Sequence, residues 1–346
     1  MRRLFRGPVR LVLATLVTGS VVAAGLALTE ADKAPGESLS ALSDPTHQAD
    51  QASRSGGRSQ VARPGGEYPD ATTPPPYHVV KAPSPYQLKP AVEARLRRAA
   101  ELAAHRGEPF TFKIGSLNVL GSNHTPPRSG YASGTTRAVW ESDLIESVGI
   151  DLIGLQEVQP DQLHVFVSQL GGYSVWPQET LGRNSYRRQI AWRDDLFELK
   201  DTGSITTIFS GQLIPLPYVL LEDRLTGGQF YAVTIHNSPR GMESERDAAT
   251  GAEIGLIKSL LASGHPVVVT GDMNEPTEWY CAVAASTGVV GANGAYYDGG
   301  CHTPGHNGID WIVGGGGVDF SDYVRKDDIN KMSDHPIIWA TATLQD

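Results

Sequence analysis

The chain has 346 residues, 40% hydrophobic and 19% charged, an ordinary globular composition with material for one large core or two smaller ones. A formal net charge of -9 argues against passive, tight nucleic-acid binding, which needs a basic face. It does not exclude a nuclease, because a bound divalent cation offsets local negative charge.

Met1 to Arg10 is basic, and the LVLATLVTGSVVAAGLAL that follows is apolar and rich in small residues. Residues 1–28 read as an export signal, with GLA ending at Ala27 as a cleavage point, or as an uncleaved anchor near the lower length limit of a membrane span. Arg2-Arg3 is a weak twin-arginine cue. Positive charge on the short N-terminal side puts the bulk of the chain outside the cytoplasm, secreted or held at the membrane by this segment. Residues 29–89 are rich in Ser, Gly, Pro, Ala and Gln without periodicity, which predicts a disordered linker. PAVEARLRRAAELAAHRG predicts a helix over 90–107, with Pro90 at its start and Gly107 as its stop.

The folded domain is expected over 109–346. TFKIGSLNVL reads as a strand, TTRAVWESDLIESVG as a helix, DLIGLQEV as a buried strand and DQLHVFVSQLGG as a short helix. RRQIAWR, FELKDTGSITTI, YVLLEDRL and FYAVTIHNSP read as successive strands, the last two joined by Thr226-Gly227-Gly228. SERDAATGAEIGLIKSLLASG is a helix, HPVVVTGDMN a buried strand, and a helix follows around Trp279 to Ser286. GIDWIVGG and DHPIIWATATL close the chain as strands. Many strands with helices between only some of them predict two packed sheets with outer helices. Cys281 and Cys301 are the two cysteines; in an exported chain they read as a disulfide, with two free buried thiols as the alternative.

The strand ends carry a set of polar residues: Asn118, Gln156 and Glu157, His236 and Asn237, Asp272 and Asn274, Asp310, and Asp334 with His335. Each alone is more simply a cap or a solvated turn residue. In this order, the pieces LNV, LQE, GDMN, IDWI and SDHP resemble the endonuclease/exonuclease/phosphatase superfamily, over about Thr111 to Leu344. That superfamily includes pancreatic-type deoxyribonucleases, exonuclease III-like nucleases, neutral sphingomyelinases and inositol polyphosphate 5-phosphatases. GDMN followed later by SDHP is the specific part. The resemblance implies a four-layered α/β sandwich of two mostly antiparallel sheets flanked by helices, with the site at one end.

It also implies roles. Cleaving a phosphate ester needs a nucleophilic water, charge neutralisation on the phosphoryl oxygens and help for the leaving oxygen. Glu157 is the expected ligand of Mg²⁺ or Mn²⁺, with Ca²⁺ as a further option; Asn118 lies by the metal or its waters, and Asp334 offers a second carboxylate. His335 is the base or phosphate-polarising group, oriented by Asp310. Asp272 and Asn274, an even step apart on one strand, face the same side and orient water and phosphate. VTIHNSP is similar to the stretch in which deoxyribonucleases and sphingomyelinases place a general-acid histidine, here His236; abasic-site nucleases have an asparagine near it, which keeps Asn237 as a substrate contact. The glutamate that pairs with this histidine in deoxyribonucleases is matched here by Gln189, which can hydrogen-bond the ring but not stabilise an imidazolium by charge.

Arg187 and Arg188 precede a strand; either a phosphate contact, assigned to Arg188, or a solvated edge accounts for them. His124, in a loop near Asn118, is a weaker substrate candidate; His302 and His306 are weak metal candidates; Trp279 and Tyr280 suit base stacking or, more commonly, core packing. The expected function is an exported, metal-dependent phosphodiester hydrolase, most simply a monomeric nuclease. A phospholipid or small-ester hydrolase on the same fold and a non-catalytic surface module are the alternatives.

Overall fold

A computed structural model describes residues 90–346, except 127, 128, 306, 307, 330 and 346. The signal and linker readings over residues 1–89, and His306, lie outside the described residues. The elements run α1 (Pro90–His105), β1 (Phe110–Asn118), α2 (Gly134–Val148), β2 (Leu152–Gln156), α3 (Pro160–Gln169), β3 (Tyr173–Trp176), β4 (Arg188–Arg193), β5 (Phe197–Phe209), β6 (Gln212–Asp223) and β7 (Gln229–His236). They continue with α4 (Glu243–Leu261), β8 (Val267–Asp272), α5 (Glu278–Thr287), β9 (Val290–Gly291), β10 (Tyr296–Tyr297), β11 (Cys301–His302), β12 (Asp310–Gly315), β13 (Val318–Lys326) and β14 (Ile337–Leu344). Among the described residues, no helix is long and apolar enough to cross a membrane.

Two six-stranded sheets have the orders β13-β14-β1-β2-β4-β3 and β5-β6-β7-β8-β12-β9. Each contains one parallel pair, β1–β2 and β7–β8, and each such pair is joined by a helix, because a parallel connection must cross the sheet. α2 makes the first crossing: Ser133 caps its first turn by accepting from the Thr136 N–H, and Gly149 ends it at a φ of 70°. α4 makes the second. The helices sit on the outer faces. Ile145, Leu163 and Phe166 of α2 and α3 pack with Ile153 and Leu155, and Leu256, Ile257, Trp279 and Val283 of α4 and α5 pack with Val267 and Val269.

Between the sheets, Phe112, Ile114, Leu152 and Trp192 meet Phe197, Leu221, Phe230 and Val268. Phe112 and Phe230 stack with centroids 4.9 Å apart across this layer. Burying each such side chain contributes about 1.5–3 kcal/mol. Gly154 sets the close approach near one end: a Cβ there would lie 2.0 Å from Thr270 Oγ1 of the opposite sheet. The architecture is the expected four-layered sandwich.

Several elements differ from the sequence reading, the two-residue strands β9, β10 and β11 among them. β6 begins at Gln212 and runs through Pro215 and Pro217. Its pairing with β7 starts only at Tyr218, so the missing proline N–H groups face an open edge. β13 is a mostly exposed edge strand with an irregularity between Ser321 and Val324, and lacks the apolar run that would announce it. β3 is a four-residue strand on the other edge of that sheet. Cys281 and Cys301 are joined, tying α5 to β11.

The topology explains why the strand-end residues meet. The parallel pairs place Asn118 beside Gln156 and His236 beside Asp272 at one end of the sandwich. β12 runs antiparallel to β8, so its first residue, Asp310, pairs with Asp272. β14 runs antiparallel to β1, which brings the His335 segment just before it to the same end. β4 runs antiparallel to β2, so Arg188 pairs with Gln156 there.

Candidate functional site

Asn118 sits at the centre. Its side-chain Nδ2 donates to Glu157 Oε1 and to Asp272 Oδ2, each at 3.0 Å, while its Oδ1 accepts from the Leu120 N–H at 3.1 Å. Asn118 therefore turns its amide nitrogen toward both carboxylates and braces the two acids from which a metal site is expected. Glu157 leaves β2 at a φ of 63° and accepts the Gly121 N–H at Oε2, 3.1 Å away. Gly121 is needed there, since a Cβ would lie 2.8 Å from the Glu157 carbonyl oxygen.

His335 Nδ1 lies 3.0 and 3.2 Å from the two oxygens of Asp310, and its Nε2 is 3.6 Å from Asp272 Oδ2. Ser333 fixes the loop: its Oγ donates to the Asn118 carbonyl at 2.6 Å and accepts the His335 N–H at 3.1 Å. Burial alone would lower the pKa of His335, but the Asp310 hydrogen bond and charge, with Asp272, raise it to about 9. The imidazole is thus charged at neutral pH. Burial and the charge of Asp310 raise Asp272 well above the usual carboxylate range.

His236 Nε2 lies 3.5 Å from Asp272 Oδ2 and 4.0 Å from Glu157 Oε1, and its ring packs on Phe209 with centroids 4.7 Å apart. Burial, then the charges of Arg188 and His335, hold it well below 6.5, so it is neutral. Gln189 does not reach it. That side chain accepts the Gln178 N–H at 2.7 Å and donates to the carbonyls of Gln178 and Ser185, pinning the 178–185 loop to β4.

Four further expectations are corrected. Asn274 is beyond the strand, at a φ of 54°, so it does not share a face with Asp272 by alternation. A turn brings it back: its N–H donates to Asp272 Oδ1 at 2.9 Å and its Nδ2 to the Asn237 carbonyl at 2.8 Å. Arg188 is buried, with its guanidinium donating to Thr207 Oγ1 and to the carbonyls of Pro215 and His236. It has no face left for a phosphate; strand alternation sends it between the sheets. Asn237 is also fully buried and donates to Glu253 Oε2, away from solvent. Asp334 is exposed and stands outside the cluster of Asp272, Asp310 and His335, whose ligand atoms lie within 4.8 Å of one another.

The weaker candidates divide. His124 lines the cavity, with Nε2 3.8 Å from Glu157 Oε2. Trp279 and Tyr280 are core residues; Trp279 donates to Glu253 Oε2 at 2.7 Å, and Tyr280 stacks on Trp311 at 4.8 Å. His302 bonds the exposed Asp298 and stacks on Tyr296, away from the cavity residues.

Two residues escaped the sequence reading. Arg137 of α2 is fully buried and donates to the carbonyls of Val119 at 2.6 Å, Leu120 at 2.5 Å and Met332 at 2.8 Å. It ties together the segments after Asn118 and before His335. Glu253 of α4 is buried behind His236 and Asn237, and burial raises its pKa to about 7. An arginine or glutamate on an amphipathic helix gives no local signal of burial.

These groups open onto a cavity of about 370 Å³ lined by His124, Glu157, His236, Asp272, Asn274 and His335, and also by Asn184, Arg187, Phe209, Gln212 and Ile214. The donor set fits a hard divalent cation. Glu157 turns an acidic group with only two N–H partners to the cavity, beside the carboxylate of Asp272, and hard cations prefer such oxygens.

A model of the Endonuclease/Exonuclease/phosphatase family matches residues 115–335. Among solved structures, a Bacteroides vulgatus endonuclease/exonuclease/phosphatase aligns with a TM-score of 0.56 at 18% identity, covering 68% of this chain and 99% of its own. The Bacteroides thetaiotaomicron mannosyl-6-phosphatase Bt3783 aligns at 0.54 and 17%, covering 67% and 99%. D. rerio TDP2 complexed with single strand DNA product aligns at 0.51 and 17%, covering 67% and 98%. No curated protein matches the chain.

Proposed function

Since the chain belongs to the endonuclease/exonuclease/phosphatase family, we propose that it hydrolyses phosphoric esters with a divalent cation, and that its substrate is a phosphodiester, most simply of nucleic acid. The observation that carries this reading is the charged His335–Asp310 pair facing Asp272, His236 and Glu157 across one cavity.

Glu157 would hold Mg²⁺ or Mn²⁺, which supplies charge neutralisation at the phosphoryl oxygens and a more acidic water. The protein supplies the rest. Asp310 accepts from Nδ1 of His335 and leaves Nε2–H free for a phosphoryl oxygen, where a fixed positive charge stabilises the charge that develops. Asp272, with its raised pKa and its position between two imidazoles, suits acceptance of a proton from the attacking water. Asn118 and the Asn274 N–H hold that carboxylate in place. His236 is neutral before substrate binds, so its part is as a hydrogen-bond donor at the leaving oxygen rather than a standing imidazolium acid.

TDP2, similar in fold, was solved with a single strand DNA product, which supports a diester reading. The mannosyl-6-phosphatase, also similar in fold, supports a small phosphate monoester as the second reading. The apolar, basic-flanked segment at residues 1–28 and the disulfide support action outside the cytoplasm. The test incubates the purified protein with plasmid DNA, sphingomyelin and p-nitrophenyl phosphate esters, each with Mg²⁺, Mn²⁺ or EDTA. EDTA-sensitive nicking that His335→Ala abolishes is expected. Release of phosphate or of a lipid headgroup without nicking would move the substrate, and inertness toward all of them would overturn the hydrolase reading.

A further inference from the structure

Two unlike groups of residues line the cavity. One is the acids and imidazoles that act on a phosphate. The other comes from the turn before β4 and from the β5–β6 hairpin, and its one cation is Arg187. Burying a charge without a partner is costly, and the other arginines that enter the fold respect this. Arg137 and Arg188 spend their guanidinium groups on backbone carbonyls, and Arg246 spends its own on Glu275 and Glu243. Arg187 does not. Its Nε, like that of Arg188, is buried with no hydrogen-bond partner, but among the described residues its guanidinium also makes no hydrogen bond from its terminal nitrogens and no ion pair within 4.0 Å to a carboxylate; it lies over the Tyr186 ring, 5.9 Å from the centroid.

Its place is nonetheless fixed. Gln189 pins the loop from below, the Arg187 N–H donates to the Asn184 carbonyl at 3.2 Å, and Asn184 Nδ2 bonds Gln212 Oε1 of the hairpin at 3.0 Å. A guanidinium in a cavity with no hydrogen-bonded or charged partner is a ready receptor for phosphate, which it matches with forked donors. Nor does Arg187 reach the carboxylates that frame the reacting phosphate. Glu157 and Asp272 pair with His124, His236 and His335 instead. Phe209, whose ring packs on His236, and the buried Ile214 line the same cavity and offer apolar surface suited to a sugar or base. A volume of about 370 Å³ is in the range that holds a drug-sized ligand, larger than one phosphoryl group needs.

We propose that Arg187 holds a second, non-reacting phosphate of the substrate, so that the site takes a phosphodiester flanked by a further phosphate, as along a nucleic-acid strand, in preference to an ester with a single phosphate. This rests on the phosphodiester reading above and names its specificity determinant.

The experiment compares the dinucleotide TpT, which has one phosphate, with pTpT and TpTp, which have two. Cleavage is followed by chromatography with Mg²⁺, and binding by calorimetry in EDTA. The wild type should favour pTpT or TpTp over TpT in kcat/KM and in affinity. Arg187→Ala should cut that preference by about ten- to a hundredfold, the scale of one charge-assisted contact, and Arg187→Lys should restore part of it. An unchanged thermal midpoint in both variants shows that the fold is kept. An equal loss on TpT and on the phosphorylated dinucleotides, or a preference that survives Arg187→Ala, overturns the inference. If the wild type cleaves none of the three, the hydrolase reading fails, and the calorimetric preference still decides the role of Arg187.

Discussion

Asn118 of one sheet donates its side-chain amide to Asp272 Oδ2 of the other, 3.0 Å away and 154 residues along the chain. The same nitrogen serves Glu157, so one side chain sets the spacing of the two acids. Asn118→Ala is expected to leave the fold intact and lower activity or cation affinity by about 10–100-fold, as loss of a supporting contact to a metal site does. Activity titrated against Mg²⁺ checks this; a variant with unaltered cation dependence and turnover would remove Asn118 from the site.

Asp310 and His335 make a pH-sensitive contribution to stability. The pKa of His335 rises from 6.5 to about 9 in the folded chain. A raised histidine stabilises the fold fully below its unfolded value and loses that contribution as pH climbs through the folded one. Stability should therefore fall between about pH 6.5 and 9, and Asp310→Asn should flatten that fall. The same substitution should lower turnover by about 10²-fold or more, since it uncouples the charged imidazole from its orienting acid. Denaturant midpoints across pH, with and without Asp310→Asn, measure the first effect; pH–rate profiles measure the second.

Glu253 gives a lower window. Burial raises its carboxyl from 4.5 to about 7, so the folded chain holds the proton across that interval and stability declines as pH rises through it. Glu253→Gln mimics the protonated acid while keeping an oxygen for Trp279 and Asn237. The variant should be less sensitive than the wild type between pH 4.5 and 7, read as a smaller change in thermal midpoint. Equal slopes in the two proteins would show that Glu253 ionises freely.

Arg137 and Glu141 are both fully buried and 3.8 Å apart. Arg137→Met takes a donor from four carbonyls and leaves the acid without its cation, which should cost on the order of 3–5 kcal/mol in chemical denaturation. Arg137→Met with Glu141→Leu should recover much of that loss, because removing a whole buried pair is far less costly than breaking it. In both variants the Met332 and Ala132 carbonyls lose their arginine donor and those of Val119 and Leu120 keep only the long contacts from Gln162, so the recovery is incomplete.

The strand ends that carry Asn118, Glu157, His236, Asp272 and Asp310 were legible because a buried apolar run that breaks into acids and amides is a local pattern. Elements without such a run were missed. The exposed edge strand β13 has no buried face to impose alternation, and the proline-bearing first half of β6, unpaired with β7, lies outside the strand read from YVLLEDRL. Arg137 and Glu253 looked like solvated helix residues, since a helix shows its buried face only in the spacing of apolar positions.

By itself, the sequence determined the family motifs and their order, and with them the sandwich and the end at which its polar residues gather. Only the tertiary structure decided between adjacent side chains and between protonation states. Arg187 and Arg188 are neighbours in one string of letters, yet one lines the cavity and the other is sealed between the sheets. Which side is which follows from how the second sheet packs over the first. His335 is charged and His236 neutral for the same reason: Asp310 arrives beside one ring from β12, and Arg188 lies near the other from β4. Burial and charge at a point depend on every segment that folds against it, and those segments are distant in the sequence.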